Sequence, residues 1–241
     1  MLQQKTHREV KEPQMSARYL ADYMAATETA KRSIVRKCKY QAIARVVQHD
    51  EAKAIVSRFI RERKGDLAAL AEEARRIRDR MADSDFDRDL YDHNADYIER
   101  FVSVYAACKL PAAECLAPGR PPNIELHGVI VRPQIFFRFR RLTKTNKVRV
   151  GAGGLRYAKG KPLSPLVAEW QSAFLFGYLC RIGTEDAAEP ERKLCITVDA
   201  YTGMVYEAPT NAVNRFQNME AACASIAERW PNVPPPPNAV L

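Results

Sequence analysis

The chain has 241 residues, of which 46% are hydrophobic and 28% are charged, as in a folded protein with a sizeable core. A formal net charge of +9 favours a polyanionic partner. The first fifteen residues lack the apolar core of a signal peptide, and no apolar run approaches the ~20 residues that span a bilayer, so we expect a cytoplasmic protein without a membrane partner. The six cysteines include no C-x-x-C pair, so no metal site is predicted.

The first part of the chain predicts helices. Residues that favour helix N-termini precede stretches in which apolar side chains recur every three or four positions. These predicted starts are Ser16, Thr27, Asp50, Asp66 and Ser84. After Asp66, for example, Leu70, Ala74 and Ile77 share one face. Prolines within residues 111–122 end the helical part.

Short β-rich runs follow the prolines. Strands are predicted at residues 124–131, 134–141, 147–157 and 194–200, and helices at residues 165–182 and 217–230, the first of them capped by Ser164. The sequence therefore predicts an α+β protein. We divide it into an N-terminal helical module (residues 1–83), a small mixed sheet flanked by helices (residues 84–230) and an extended proline-rich tail (residues 231–241).

Positive charge is concentrated in residues 126–168, which we call the basic window. The window contains ten basic residues and no Asp or Glu, so the rest of the chain is close to neutral. Its predicted nucleic-acid-binding residues are Arg138, Arg140, Arg141, Lys144, Lys147, Arg149, Arg156, Lys159 and Lys161. The competing interpretation is a solvated strand whose charges discourage edge pairing.

A second basic stretch lies on the second predicted helix and just after it. Its members are Lys31, Arg32, Arg36, Lys37, Lys39 and Arg45. They could extend a binding surface, or they could simply complement the dipole at the helix C-terminus. Tyr40 and Tyr157 could stack on bases, although packing in the core is the more common role of a tyrosine.

The order helix, strand, strand, strand, helix, strand between residues 84 and 200 resembles the core of the PD-(D/E)XK nuclease superfamily, particularly its RecB-like branch. In that superfamily the second strand carries an Asp, often after Pro, the third carries (D/E)-x-K, and a Gln often opens the next helix. The corresponding fragments are Arg132-Pro133-Gln134-Ile135, Gly154-Leu155-Arg156 and Glu169-Trp170-Gln171. The resemblance implies a restriction-endonuclease-like core over roughly half of the chain. Residues 157–163 and 198–203 also resemble a group of uncharacterised bacterial proteins.

The catalytic positions implied by this resemblance are altered. Gln134 and Gly154 stand where the two metal-binding carboxylates would be, and Arg156 replaces the lysine. Neutral or absent ligands cannot offset the dehydration of Mg²⁺, and a guanidinium cannot act as a base. The resemblance therefore implies a degenerate site that does not cut and needs no cofactor.

An active nuclease is the alternative if acids on neighbouring elements serve instead, and Mg²⁺ would then be its cofactor. The candidate catalytic residues are Glu169, Gln171, Lys159 and Gln134, with Glu125, Glu99 and Asp199 as further carboxylates and Lys161 as a second lysine. The competing interpretation makes Glu169 a solvated helix residue and Asp199 a turn residue.

The function predicted from the sequence is nucleic-acid binding, with DNA as the expected partner and the phosphate backbone as the contact. No catalysis is assigned to the usual site. Besides the active nuclease, a second alternative is an interaction subunit of a bacterial mobile-element or defence system. In that case the basic window would dock an acidic protein partner.

Overall fold

A computed structural model describes residues 5–43, 49–62, 65–184, 188–237 and 239–241. The helices are α1 Ala17–Met24, α2 Glu28–Lys39, α3 Asp50–Glu62, α4 Leu67–Arg78, α5 Asp85–Val104, α6 Pro165–Ile182 and α7 Ala212–Arg229. The strands are β1 His7–Glu9, β2 Gln14–Ser16, β3 Tyr40–Ala42, β4 Glu114–Leu116, β5 Ile124–Leu126, β6 Val129–Arg132, β7 Phe137–Leu142, β8 Val148–Arg156, β9 Glu189–Pro190, β10 Ile196–Asp199 and β11 Val205–Glu207. The fold is α+β, as predicted. Within the described ranges, no helix is both long and apolar enough to cross a membrane.

Side-chain caps begin four of the predicted helices. Ser16 and Thr27 accept hydrogen bonds from backbone N–H groups three residues ahead, at 3.3 and 3.4 Å. Asp66 accepts from the N–H two residues ahead at 2.8 Å, and Ser84 from the N–H three residues ahead at 3.2 Å, and these bonds cap α4 and α5. These starts are confirmed because capping is a local interaction that the sequence displays directly. The start of α6 is also confirmed, but the side chain of Ser164 makes no capping hydrogen bond there.

The main sheet has the strand order β11-β10-β8-β7-β4, and β9 also pairs with β8. Strands β8 and β10 run parallel, whereas β7 is antiparallel to β8 and to β4. Helix α6 packs on one face of this sheet, with α1 and α7 beside it. Phe137 and Phe139 project from the other face into the core formed with α3, α4 and α5. The sheet therefore separates two helical layers.

The glycines of β8 allow close packing on both faces of the sheet. A Cβ atom on Gly153 would lie 1.7 Å from the ring of Phe137. On the opposite face, a Cβ atom on Gly154 would lie 2.6 Å from the amide nitrogen of Gln171 in α6. The Gly-Ala-Gly-Gly segment is therefore a crowded strand in the middle of the sheet.

The predicted strand at residues 124–131 is wrong in one respect, because it is a hairpin of two strands, β5 and β6. His127 and Gly128 form the turn with φ of 44° and 81°, and the left-handed geometry at a non-glycine residue concealed it from sequence reasoning. Strand β6 then pairs with β2 in a separate three-stranded sheet of order β2-β6-β5. Gln134, expected to begin the next strand, instead lies in the preceding loop with φ of 52°.

Two buried clusters form the core, one on each face of the main sheet. The first joins α1, α2 and the three-stranded sheet to α6 and α7, and the second joins α3, α4 and α5 to the main sheet. Both clusters therefore contain residues from before and after residue 83, and the division at that residue stays a prediction. The proline-rich tail contacts the N-terminal segment, where the carbonyl of Val240 accepts a hydrogen bond from the N–H of Thr6 at 2.9 Å.

Candidate functional site

Many charges of the basic window are offset by carboxylates that lie far away in sequence. Arg141 forms a two-pronged ion pair with Glu191, and Glu189 beside it pairs with Lys147 and Arg149. Both acids lie at or next to β9, which pairs with β8. The sequence of the window therefore contains no acid, but acids from other parts of the chain lie beside it in the fold.

Two further members of the window pair with helices. Arg156 is 9% exposed and donates to Asp22 of α1 at 2.6 Å, and Lys159 donates to Asp96 of α5 at 2.5 Å. Burial lowers the pKa of the Arg156 guanidinium and Asp22 opposes that shift, so the guanidinium stays charged at neutral pH. Five of the nine predicted nucleic-acid-binding residues therefore have carboxylate partners.

The other four predicted residues are dispersed. Arg138 is half-buried and Arg140 is exposed on β7, where Glu114 of β4 lies opposite Arg140. Lys144 is exposed in the turn before β8, and Lys161 is exposed in the loop after it. A strand of nine residues is about 30 Å long, so the two lysines lie at opposite ends of β8.

A second basic region flanks α2, and we call it the α2 groove. It consists of two depressions on either side of α2, with volumes of about 810 and 420 Å³, and Arg36 lines both. The basic residues that line them are Lys31, Arg32, Arg36, Lys37, Arg132 and Arg229. Glu228 is the one carboxylate among the described lining residues, and it lies in the smaller depression.

The local sequence explains this arrangement. Val35 and Cys38 turn inward from α2, so Arg32 and Lys37 are exposed and Arg36 is half-buried. Burial raises the pKa of the Cys38 thiol to about 12, so this lining residue is a neutral thiol. Arg132 joins the groove because β6 pairs with β2, in a register that puts Arg132 opposite Ser16.

The basic side chains of the α2 groove differ from those of the basic window in their partners. Within the described part of the chain, no carboxylate lies within 4.0 Å of the side-chain nitrogens of Arg32, Arg36, Lys37 or Arg132. The Nε atom of Arg36 is buried and has no hydrogen-bond partner among those residues. These cations are available to an anionic ligand.

The residues of the second basic stretch have different roles. Lys39 is 4% exposed, and its ammonium donates to the carbonyls of Trp230 and Pro231 at 2.8 and 3.1 Å and lies 3.4 Å from Glu9. It therefore stabilises the end of α7 and is not part of the groove surface. Arg45 lies outside the described residues.

The two tyrosines considered for base stacking, Tyr40 and Tyr157, are both buried. The Tyr40 ring is buried and its hydroxyl donates to the carbonyl of Val233 at 3.0 Å, while Tyr157 stacks on Tyr97 with ring centroids 4.0 Å apart. Tyr19 instead is 39% exposed and lines the groove. Tyr19 is not among the residues predicted from the sequence, and the signal that could have found it is its place next to Leu20, which takes the buried face of α1.

The candidate catalytic residues of the nuclease alternative do not converge. Gln171 is buried and accepts from Arg156 at 3.0 Å, so those two meet at the end of β8. Glu169 is directed to α7, where it pairs with Arg215 at 2.7 Å. Lys159 is paired with Asp96, as described above, and Gln134 is exposed in its loop.

The further carboxylates are also separated or engaged. Asp199 is 1% exposed and accepts from the backbone N–H groups of Leu163 and Tyr201, both at 3.0 Å. Glu99 pairs with Arg78 at 2.8 Å, and Glu125 is exposed on β5 in the other sheet. Across the described ranges, no three His, Cys, Asp or Glu side chains form a group that could hold a metal ion.

No protein-family model matches this sequence, and no curated protein matches it significantly, so the function has to be inferred from these side chains.

Proposed function

We propose that the protein binds nucleic acid through the phosphate backbone and that the α2 groove is the interface. One observation carries this proposal: the two depressions that share Arg36 are lined by four cations without described carboxylate partners, namely Arg32, Arg36, Lys37 and Arg132. Unpaired cations in a groove attract a polyanion because binding releases the counterions condensed on its phosphates. Paired cations contribute less, since their charge is already offset.

Single-stranded DNA is the proposed form of the ligand. Proteins that bind single strands combine a basic groove with exposed aromatic rings on which bases stack. Tyr19 provides such a ring within the α2 groove. Bases are free to stack on a side chain only when they are not already paired and stacked in a duplex, so the exposed ring favours a single strand.

Arg138 and Arg140 on β7 are proposed as a secondary contact. They are the two members of the basic window that share one face of a strand and have no described carboxylate within 4.0 Å. The opposing Glu114 reduces the local potential, so we assign them a smaller share of the affinity.

We propose binding without cleavage at the strand ends that the nuclease resemblance implies. Gln134 and Gly154 supply no carboxylate there, and Arg156 and Gln171 are bonded to one another. Cutting of DNA by the purified protein in Mg²⁺, if abolished by Glu169→Ala, would favour the active-nuclease alternative instead.

The test is fluorescence anisotropy with labelled single-stranded and duplex DNA over a series of salt concentrations. The double variant Arg32→Glu/Lys37→Glu changes two exposed groove residues and should weaken binding by roughly 30-fold or more and reduce the salt slope. Arg75→Glu/Arg76→Glu is the matched control, because it makes the same change in charge at two exposed arginines of α4.

The control variant should lose much less affinity than the groove variant. Equal losses in both variants would show that only net charge matters and would remove the groove from the proposal. Negligible binding of the unmodified protein at low salt would reject nucleic acid as the partner and would favour an acidic protein partner.

A further inference from the structure

A separate pocket of about 450 Å³ lies where strands β8 and β10 end, and we call it the strand-end pocket. The two strands are parallel, and their last residues, Arg156 and Asp199, lie in register. Arg18 and Asp22 of α1 form one wall, and residues 161–164 with Val167 of α6 form another. The volume suits a ligand the size of a nucleotide or smaller.

Both carboxylates of the pocket are occupied by protein donors. Asp22 accepts from Arg156 at 2.6 Å. Asp199 accepts from the N–H of Leu163 at 3.0 Å and from the hydroxyl of Thr202 at 2.7 Å. These acids therefore neutralise or orient neighbouring groups.

Two cationic side chains of the pocket, Arg18 and Lys161, keep free hydrogen-bonding capacity. Among the residues that the structure covers, no carboxylate lies within 4.0 Å of the side-chain nitrogens of Arg18 or Lys161. Helix α6 begins at the same place without a side-chain cap, and Val167 in its first turn lines the pocket. N–H groups in a first turn have no partner within the helix.

One residue of the pocket lining has a buried donor without a described partner. The Nε atom of Arg18 is buried and has no hydrogen-bond partner in the described part of the chain, and the same holds for the hydroxyl of Tyr97. Tyr97 is fully buried and stacks on Tyr157, which forms part of the pocket wall. Unsatisfied buried donors are rare in folded proteins, so the unpartnered Nε atom of Arg18, a lining residue, favours a ligand that accepts hydrogen bonds.

From these contacts we infer that the strand-end pocket binds a phosphate-type oxyanion, held by Arg18, Lys161 and the N-terminus of α6 without a divalent cation. The tetrahedral oxygens of a phosphate monoester accept from a guanidinium and from helix N–H groups at once. The pocket shares no lining residue with the α2 groove, so this inference does not depend on the proposed nucleic-acid interface.

The test is calorimetric titration of the full chain, in EDTA, with inorganic phosphate and with deoxyadenosine 5′-monophosphate. We expect saturable binding that Lys161→Gln and Arg18→Gln each weaken by roughly tenfold, the effect of losing one charge-assisted contact. Lys161 is exposed, so its variant should fold normally. Lys144→Gln, which alters an exposed lysine at the far end of β8, is the matched control and should bind as the unmodified protein does.

A second arm distinguishes the source of the phosphate. If a 5′-phosphorylated single strand binds more tightly than its 5′-hydroxyl counterpart, and Lys161→Gln removes the difference, the ligand is a nucleic-acid end. If inorganic phosphate or the nucleotide binds but the 5′-phosphorylated and 5′-hydroxyl strands bind equally well, the ligand is a free phosphate compound.

The inference is overturned if neither inorganic phosphate nor the nucleotide gives saturable binding, or if Lys161→Gln binds both of them like the unmodified protein. Arg32→Glu/Lys37→Glu should keep its affinity for inorganic phosphate, so failure of the groove proposal would be seen separately.

Discussion

The basic window and the α2 groove show opposite relations between sequence and surface charge. The window contains no acid along the chain, yet Glu189, Glu191, Asp22 and Asp96 reach its side chains in the fold. Helix α2 begins with Glu28, which pairs with Lys31, yet the described cations at positions 32, 36, 37 and 132 are unpaired. Local net charge in a sequence therefore predicts surface potential poorly when strands and helices carry acids in from elsewhere.

The comparison also separates the charged residues that stabilise the fold from those that remain available to a ligand. Arg156 and Arg149 hold elements together, because each bonds to a residue far away in the chain. Cations without such partners contribute little to stability and keep their capacity for a ligand. Four predictions test this division, beginning with the largest effect.

Asp22→Ala should lower the free energy of unfolding by about 3 kcal/mol, because it leaves the buried guanidinium of Arg156 without its carboxylate. Urea titration followed by circular dichroism measures this loss. Glu189→Ala is the control, since it frees the more exposed Lys147 and Arg149 and should cost less than about 1 kcal/mol. Similar losses in both variants would contradict a structural role special to Arg156.

Tyr19→Ala should weaken single-strand binding by about 1–2 kcal/mol, because the exposed ring is the stacking surface of the groove. Duplex binding should change far less. Tyr19→Phe keeps the ring and should retain the affinity of the unmodified protein in the same anisotropy assay. An equal loss for single and double strands would remove stacking from the interface.

Arg138→Glu/Arg140→Glu should weaken binding by only roughly threefold, and alike for all DNA sequences, because backbone contacts carry no sequence information. Comparison with Arg32→Glu/Lys37→Glu in one salt series ranks the two regions. Should the β7 variant lose more affinity than the α2 variant, the main interface would have to be moved to β7.

Lys159→Gln should cause a small loss of stability at neutral pH that disappears in acid. Burial raises the pKa of Asp96, but hydrogen bonds from Lys159 and Arg78 outweigh it and hold the pKa below its usual value of 3.8. A lowered carboxyl pKa stabilises the fold above the unfolded-state value, and that contribution is lost as the pH falls through the folded-state pKa. The urea midpoints of both proteins should therefore converge once the pH has fallen through the lowered pKa of Asp96. A difference that persists there would mean that Lys159 acts through packing and not through Asp96.

Much of the secondary structure could be predicted from the sequence. The starts of α1, α2, α4 and α5 depend on caps that act over two or three residues, so local sequence was sufficient. The hairpin of β5 and β6 was missed because His127 adopts a conformation that a non-glycine residue rarely takes. The candidate site was predicted less well. Tyr40 was considered for base stacking, but its ring is buried, whereas the ring of Tyr19 is exposed in the groove. Only the packing of the helices decides which of the two rings is exposed.

The sequence alone determined the α+β class, the order of the main helices and the excess of positive charge, because composition and short-range patterns specify all three. Only the tertiary structure decided which positive charges are free. Arg149 and Glu189 are 40 positions apart, and Arg156 and Asp22 are 134 apart. Such pairs form only when strands and helices pack, and no local pattern specifies which acid will meet which base.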